Sequence, residues 1–232
     1  MRQTIQKADV NGDGFDDLLA GNWGHNTKLY AGKNGPLKLY VKDFDNNGSI
    51  EQVMAYTING AEYTFLCKDE LERSLPVLKK HYLTYGEVAG KTVQFLFFDL
   101  FKDYAALQAE TLSSSCFINN GKGGFTIKEL PAECQLAPVF SFSTFPLTGK
   151  QGFLAAGNFY GVIPYEGEYD ALQPTVFSFE KGTGQIRTEG NIPLLDGEVR
   201  DLKWIQSKTG SPRLVIARNN DKLLFYKTNG QK

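Results

Sequence analysis

The sequence predicts a mainly β fold of blade-like antiparallel sheets, about three blades that form part of a propeller, with a helical insertion near residues 68–108. Three observations lead to this prediction: many short β-like runs, internal repeats, and one stretch of helical periodicity. About a dozen runs rich in β-branched and aromatic residues alternate with Gly and Asn-Gly turns. Such regular spacing is typical of a sandwich, a barrel or a propeller. We expect one domain over residues 1–232, with the insertion inside it.

Internal repeats favour the propeller among these architectures. Ala20-Gly-Asn-Trp23 recurs as Ala156-Gly-Asn-Phe159, and each segment follows an apolar run. A looser pair, Phe117–Phe125 and Phe177–Gly184, is separated by the length of one four-stranded blade. About three blades are fewer than the four to eight of closed propellers. We therefore expect either the remaining blades of a parent chain or self-association to cover the open sheet edges.

Local signals define the individual elements. Asn59-Gly60 between two β-like runs predicts a two-residue hairpin, because both turn positions need positive φ. Apolar residues recurring at helical spacing predict an amphipathic helix over Asp69–His81, which we expect Pro76 to kink or restart. Thr84 and Glu87 have the spacing of a capping box that opens a second helix, whose apolar stripe continues to about Gln108.

Two nine-residue segments, loop 1 (9–17) and loop 2 (43–51), carry the pattern of a calcium-binding loop. Calcium takes six to eight oxygen ligands, and a coiled loop that presents alternate side chains can supply them. Both loops have side-chain oxygens at positions 1, 3, 5 and 9, Gly at position 6, and a backbone carbonyl available at position 7. In loop 1 the predicted ligands are Asp9, Asn11, Asp13, the Phe15 carbonyl and Asp17. In loop 2 they are Asp43, Asp45, Asn47, the Ser49 carbonyl and Glu51.

These loops differ from an EF-hand. An EF-hand has a bidentate Glu at position 12 and continues into a helix. Here position 12 is Ala20 or Met54, and the following residues have the pattern of a strand. The ninth-position carboxylates, Asp17 and Glu51, would have to complete the ligand shell. The alternative is that both loops are Asx-rich turns without a metal.

Three motifs resemble a known family. They are Asp-x-Asn-Gly-Asp-Gly-x-x-Asp-Leu-Leu at 9–19, Gly-Asn-Trp-Gly-x-Asn at 21–26, and Asn-Asn-Gly-Lys-Gly-Gly-Phe at 119–125. Together they resemble the FG-GAP or VCBS-type repeats of integrin-α-like β-propellers. Further segments resemble the C-terminal end of large secreted repeat proteins of Bacteroidetes-type bacteria. Those segments are Leu39–Asp45, Leu75–Lys80, Gly157–Gly161, Gly197–Leu202 and Ala217–Asp221.

The resemblance implies Ca²⁺ at the ligands of both loops and a non-catalytic role at a bacterial cell surface or after secretion. The implied location is extracellular, periplasmic or on the outer cell surface. The residues after Met1 lack the charged-then-apolar pattern of a signal sequence, and we expect the chain to be a piece of a longer protein. One departure is informative, because the repeat that aligns with loop 1 has no ligand side chains and we expect it to be metal-free. The aligned residues are Phe145, Leu147, Gly149 and Phe153.

Composition and charge argue against several function classes. A net charge of −1 gives no basic surface for nucleic acid. The chain has no apolar run long enough to cross a bilayer, so we expect no membrane insertion. His25 and His81 lie outside any recognisable nucleophile motif, and phosphate-loop and dinucleotide motifs are missing, so we expect no enzyme activity. The three cysteines form no Cys-x-x-Cys pair, which favours free thiols.

A second hypothesis is a carbohydrate-binding module. The two Gly-Asn-aromatic segments would then form equivalent pockets on neighbouring blades, with exposed aromatic side chains as contacts. Those side chains are Trp23, Phe159, Tyr160 and Tyr165. The alternative is that Trp23 and Phe159 are core residues between sheets. A third hypothesis is an accessory domain of a larger extracellular enzyme. In each case the partner is an unknown protein or glycan at the cell surface.

Overall fold

The structure is a computed structural model that describes residues 2–29, 31, 35–181, 183–193, 196–206, 208 and 210–227. The fold is mainly β, with 42% strand and 14% helix, and the described residues form four antiparallel sheets, none of them closed into a barrel. The chain divides into two compact units. Unit 1 comprises Met1–Asn26 and Leu112–Lys232, and unit 2 comprises Thr27–Thr111.

The secondary structure follows in chain order. The strands are β1 Thr4–Ala8, β2 Asp17–Gly21, β3 Leu37–Lys42, β4 Glu51–Ile58, β5 Ala61–Thr64, β6 Ala105–Ala109, β7 Ser115–Asn119, β8 Phe125–Glu129, β9 Val139–Leu147, β10 Lys150–Gly157, β11 Thr175–Phe179, β12 Ile186–Asn191, β13 Val199–Ile205, β14 Arg213–Arg218 and β15 Leu224–Lys227. The helices are α1 Lys68–Ser74, α2 Val77–His81, α3 Tyr85–Val88 and α4 Val93–Phe97, with 3-10 turns at Phe98–Leu100, Ala132–Gln135 and Pro164–Glu166. In the described residues, no helix is long and apolar enough to cross a bilayer.

Unit 1 contains three sheets. Sheet A has the order β1-β2-β7-β8, sheet C the order β12-β11-β10-β9, and sheet D the order β13-β14-β15. The central strands of sheet C, β10 and β11, bury side chains on both faces, because successive side chains of a strand point to opposite sides. Phe153 and Phe177 belong to an apolar cluster shared with sheet A, whereas Leu154 and Val176 belong to one shared with sheet D. Sheet C is therefore the middle layer of unit 1.

The repeated Gly-Asn segments have a backbone explanation. A Cβ at Gly21 would lie 2.3 Å from the Val139 carbonyl oxygen, and a Cβ at Gly157 would lie 1.8 Å from the Pro138 carbonyl oxygen. The Asn22 carbonyl accepts the Val139 N–H at 3.0 Å, and the Asn158 N–H donates to the Pro138 carbonyl at 3.0 Å. Both glycines thus let the ends of β2 and β10 approach the start of β9.

Sheet A is continuous although its strands come from distant parts of the sequence. β2 pairs with β7, with Leu19 opposite Cys116. Just beyond the paired residues, the Gly24 N–H donates to the Leu112 carbonyl at 2.8 Å. The point where the chain leaves unit 1, near Gly24, is therefore next to the point where it returns, at Leu112.

Unit 2 contains sheet B, with the order β5-β4-β3-β6, and the four short helices. The Asn59-Gly60 hairpin is confirmed, because β4 pairs with β5 and the two turn residues have φ of 50° and 80°. The Thr84–Glu87 capping box is also confirmed, with the Glu87 carboxylate accepting the Thr84 N–H at 2.7 Å. The unit's buried cluster combines helix and sheet residues. It contains Tyr40, Phe44, Val53, Ala55, Leu71, Leu75, Leu78, Val93, Leu96 and Phe97.

One helix prediction is confirmed and another needs correction. The Asp69–His81 helix is interrupted and restarts at Pro76, as predicted, because proline lacks the N–H that a continuous helix needs. The predicted apolar stripe to Gln108 is wrong beyond Leu100, because β6 follows and pairs with β3. Asp103 has a φ of 54°, which ends helical geometry, and ladder pairing then decides the conformation of the Ala-rich segment.

Candidate metal loops

Loop 1 is folded by its own polar side chains. The Asp9 carboxylate accepts the N–H groups of Gly12 at 2.8 Å, Asp13 at 3.2 Å and Gly14 at 3.0 Å. The Asp13 carboxylate accepts the Phe15 N–H at 2.8 Å. These local bonds are typical of Asx turns, and they curl the backbone so that the side chains at positions 1, 3 and 5 stay close together.

Asp17 has a structural task at the end of loop 1. Its side chain is fully buried at the start of β2. One carboxylate oxygen accepts the Val10 N–H at 3.0 Å, and the other accepts the Asn119 N–H at 2.7 Å. Both oxygens are thus already hydrogen-bonded, and the carboxylate ties loop 1 to the end of β7.

Loop 2, in unit 2, has the same pattern of hydrogen bonds from backbone N–H groups to its first and ninth carboxylates. The Asp43 carboxylate accepts the Asn47 N–H at 2.9 Å and the Gly48 N–H at 2.8 Å. One oxygen of Glu51 accepts the Phe44 N–H at 2.9 Å, the counterpart of the bond between Asp17 and Val10. The glycine at position 6 has positive φ in both loops, 88° in loop 1 and 89° in loop 2, as the loop pattern predicts.

Loop 2 differs from loop 1 in bringing three carboxylates together. Ligand oxygens of Asp43, Asp45 and Glu51 lie within 4.8 Å of one another, the one such group of acidic, His or Cys side chains among the described residues. One oxygen of Asp45 is buried and has no hydrogen-bond partner among the residues that the structure describes. Burying such an oxygen unpaired is costly, and a bound cation would remove that cost. An all-oxygen donor set of this kind suits a hard cation such as Ca²⁺.

The structure therefore distributes the predicted ligands unevenly. It brings Asp43, Asp45 and Glu51 together, while the Asn47 side-chain oxygen is occupied by the Ser49 N–H at 2.8 Å. In loop 1 the Asn11 amide donates to the Asp13 carboxylate at 2.8 Å. Glu51 has two roles in loop 2. One of its oxygens accepts the Phe44 N–H that closes the loop, and the carboxylate belongs to the acidic group.

The sequence prediction missed the apolar residue at position 2 of each loop. Val10 and Phe44 are buried, and each donates its N–H to the carboxylate at position 9. Phe44 also contacts Phe97 on α4, with ring centroids 5.3 Å apart. The signal for this role was present, since both loops have a large apolar residue between two Asx ligands.

The repeat without ligands forms an apolar hairpin. Phe145 and Leu147 lie on β9, Gly149 has a φ of 75° in the turn, and Phe153 is fully buried on β10. Phe145 contacts the ring of Trp204, with centroids 6.3 Å apart. Hydrophobic packing in this repeat thus takes the place of the polar loop.

The aromatic residues proposed for ligand binding are placed differently from the expectation of two equivalent pockets. Trp23 and Phe159 contact each other edge-to-face, with centroids 5.6 Å apart, and both are half-buried. Trp23 also contacts Tyr169 at 5.3 Å, and its indole N–H is buried without a partner. The Tyr160 N–H donates to Glu198 at 2.7 Å, while Tyr165 is exposed. The two repeats therefore contribute to one aromatic cluster.

The two histidines lie apart from both loops. His25 is 3.5 Å from the Glu129 carboxylate, and the His81 ring contacts Phe98 with centroids 4.7 Å apart. A scan against protein-family models finds no match for this chain, and a search of curated proteins finds no match either.

Proposed function

We propose that this chain is a calcium-binding, non-catalytic repeat segment of β-propeller type from a cell-surface or secreted protein, and that it serves recognition or assembly. The observation that carries the proposal is the acidic group of loop 2, in which an Asp45 oxygen is buried without a partner. A cation there would be held by Asp43, Asp45 and Glu51, and it would offset the repulsion among the three carboxylates.

The architecture of unit 1 supports the propeller part of the proposal. Its sheets A, C and D are antiparallel, the central strands of sheet C bury side chains on both faces, and Gly21 and Gly157 both lie against the start of β9. Sheet D has three strands in the described residues, whereas sheets A and C have four each. Its outer strand, β15, leaves an open edge that the remaining blades of a parent chain, or a second copy, would cover.

The metal in this proposal acts on stability. Loop 2 connects β3 to β4, and Phe44 within it packs on Phe97 of the helical layer. A cation that fixes loop 2 therefore also fixes the position of Phe44 in the core of unit 2. Extracellular calcium modules have dissociation constants of about 10⁻⁴–10⁻³ M, so such a site would be filled at extracellular calcium levels.

Isothermal titration calorimetry with CaCl₂ tests this proposal. We expect the wild type to bind Ca²⁺ and the Asp45→Asn variant to lose the binding assigned to loop 2. Asp99→Asn is the matched control, because Asp99 is an exposed carboxylate of the same unit outside loop 2. The proposal is wrong if neither protein binds millimolar calcium, or if Asp45→Asn binds as many ions with the same affinity as the wild type.

A further inference from the structure

A cavity of about 260 Å³ opens in unit 2 beside the β4–β5 hairpin. Three tyrosines line it: Tyr56 on β4, Tyr63 on β5 and Tyr85 on α3. Tyr56 and Tyr63 are directly opposite each other in the antiparallel ladder, so the sheet fixes their spacing. Lys68 and Lys91 also line the cavity. We call this cavity the tyrosine pocket.

Tyr85 is exposed and yet held in place. Its ring is 60% exposed, and its hydroxyl donates to the Asp69 carboxylate. The Lys68 ammonium lies 5.8 Å from the centre of the ring. The Glu87 carboxylate anchors the start of α3 by accepting the Thr84 N–H. An exposed aromatic ring that is already ordered loses little conformational entropy when a ligand packs on it.

The two lysines of the pocket differ in availability. Lys68 forms an ion pair with Glu72 at 2.5 Å, and both side chains are about nine-tenths buried. Lys91 is exposed and has no ion pair with any residue that the structure describes; its ammonium lies 5.0 Å from the centre of the Phe95 ring. The acidic side chains beside the pocket are already paired: Asp69 with the Tyr85 hydroxyl, Glu70 with the Cys67 N–H, and Glu72 with Lys68. Lys91 is therefore the pocket lysine that is available to form an ion pair with an anionic ligand.

We propose that the tyrosine pocket binds an acidic sugar residue, with the sugar ring against the tyrosines and its carboxylate paired with Lys91. A pyranose ring has apolar C–H faces and a polar edge, and tyrosine offers an apolar face and a hydroxyl in the same way. The mixture of aromatic walls and a few polar groups is typical of small-ligand sites. The pocket shares no residue with loop 2 and lies in a different unit from Trp23 and Phe159. The inference thus goes beyond the calcium proposal. It depends neither on calcium binding at loop 2 nor on the aromatic cluster around Trp23.

The test compares an acidic with a neutral trisaccharide, trigalacturonic acid and galactotriose, by calorimetry at fixed calcium. We expect the wild type to prefer the acidic probe. Lys91→Gln should lower the affinity for the acidic probe by about tenfold or more, which is the contribution of a charge-assisted hydrogen bond. Its affinity for the neutral probe should be unchanged. Tyr85→Ala should weaken both probes, and this variant should fold because the ring is exposed. Lys79→Gln, an exposed lysine outside the pocket, is the control and should change neither affinity.

A second readout uses the exposed thiol of Cys67, which also lines the pocket. Bound trigalacturonic acid should slow its reaction with a thiol reagent, and galactotriose should slow it less. The proposal is overturned if neither sugar binds, if Lys91→Gln and Tyr85→Ala bind as the wild type does, or if binding leaves the Cys67 reaction rate unchanged. Loss of acidic-probe binding in Tyr165→Ala but not in Tyr85→Ala would place the site in unit 1 and would also overturn it.

Discussion

Replacing Asp45 with Asn should stabilise the protein without calcium and destabilise it with calcium. One Asp45 oxygen lies within 4.8 Å of an oxygen of Asp43 and of one of Glu51. Two like charges at this distance repel by about 0.9 kcal/mol in bulk water and by about 3.5 kcal/mol at the effective dielectric constant near a protein surface. Because loop 2 is partly exposed, we expect a gain of about 1–2 kcal/mol in the calcium-free protein.

Calcium reverses the sign of this effect. With a dissociation constant of about 0.1–1 mM and calcium at about 10 mM, binding stabilises the native state by about 1.4–2.7 kcal/mol. Asn supplies one neutral oxygen in place of a carboxylate, so the variant should lose most of this stabilisation. The difference between the two free energies of unfolding should therefore move by about 1.4–2.7 kcal/mol in favour of the wild type, which exchanges their order when the dissociation constant is about 0.1 mM.

Urea unfolding followed by circular dichroism measures this exchange at constant ionic strength, once with a chelator and once with calcium. Asp99→Asn should follow the wild type in both buffers. If Asp45→Asn destabilises the protein equally in both buffers, Asp45 supports the fold and not a metal. If calcium stabilises the variant as much as the wild type, the ion binds elsewhere. Either result would refute the reasoning from the acidic group.

Three further predictions concern unit 1 and the thiols. Asp17→Asn should destabilise the protein by about 1–3 kcal/mol in urea unfolding, because the new amide NH₂ cannot accept one of the two backbone N–H groups that the carboxylate accepts. Gly157→Ala should prevent native folding or lower the melting temperature severely, because its Cβ would lie 1.8 Å from a carbonyl oxygen. A thiol reagent should modify Cys67 alone in the native protein and all three cysteines after unfolding, because Cys116 and Cys134 are buried. Burial also raises the pKa of the Cys116 thiol to about 12.

Each of these predictions has a matched control. Asp16→Asn removes an exposed ion pair with Lys7 and should cost less than about 1 kcal/mol. Gly86→Ala places a Cβ 4.0 Å from the Thr84 hydroxyl, in a helix that favours Ala, and should be neutral or slightly stabilising. Equal losses in Asp16→Asn and Asp17→Asn, or in the two glycine variants, would contradict the contacts assigned here. Rapid native labelling of more than one thiol would contradict the burial of the other two.

The sequence predicted the fold best where one local pattern decided the structure. Asn59-Gly60 specifies its turn by positive φ, and the spacing of Thr84 and Glu87 specifies a capping box through local hydrogen bonds. Edge strands were harder to predict: β12 is exposed along most of its length and has no apolar alternation to reveal it. For β6, an apolar stripe had the helical period, and pairing with β3 overrode it.

The candidate site was predictable in its residue types and not in its hydrogen bonds. The spacing of Asx residues identified both loops, because local turn geometry depends on neighbouring residues. It could not show that an oxygen of Asp17 is occupied by the Asn119 N–H, which lies 102 positions along the chain. Nor could it show that an Asp45 oxygen is buried without a partner. These differences between the loops depend on packing, which the loop pattern alone does not contain.

The hydrogen bond between Gly24 and Leu112 has a consequence for how such a chain can change in length. All four strands of sheet A belong to unit 1, and β2 pairs directly with β7. The register of this sheet therefore does not depend on the length or structure of the chain between residues 26 and 112. The residues of unit 1 that flank the intervening segment are hydrogen-bonded neighbours. This arrangement is typical of sites that tolerate domain insertion, so we expect the segment to be replaceable. A short Gly-Ser linker joining Asn26 to Leu112 should therefore leave the three sheets of unit 1 intact. The same junction should accept a different module without a change in the strand pairing of sheet A.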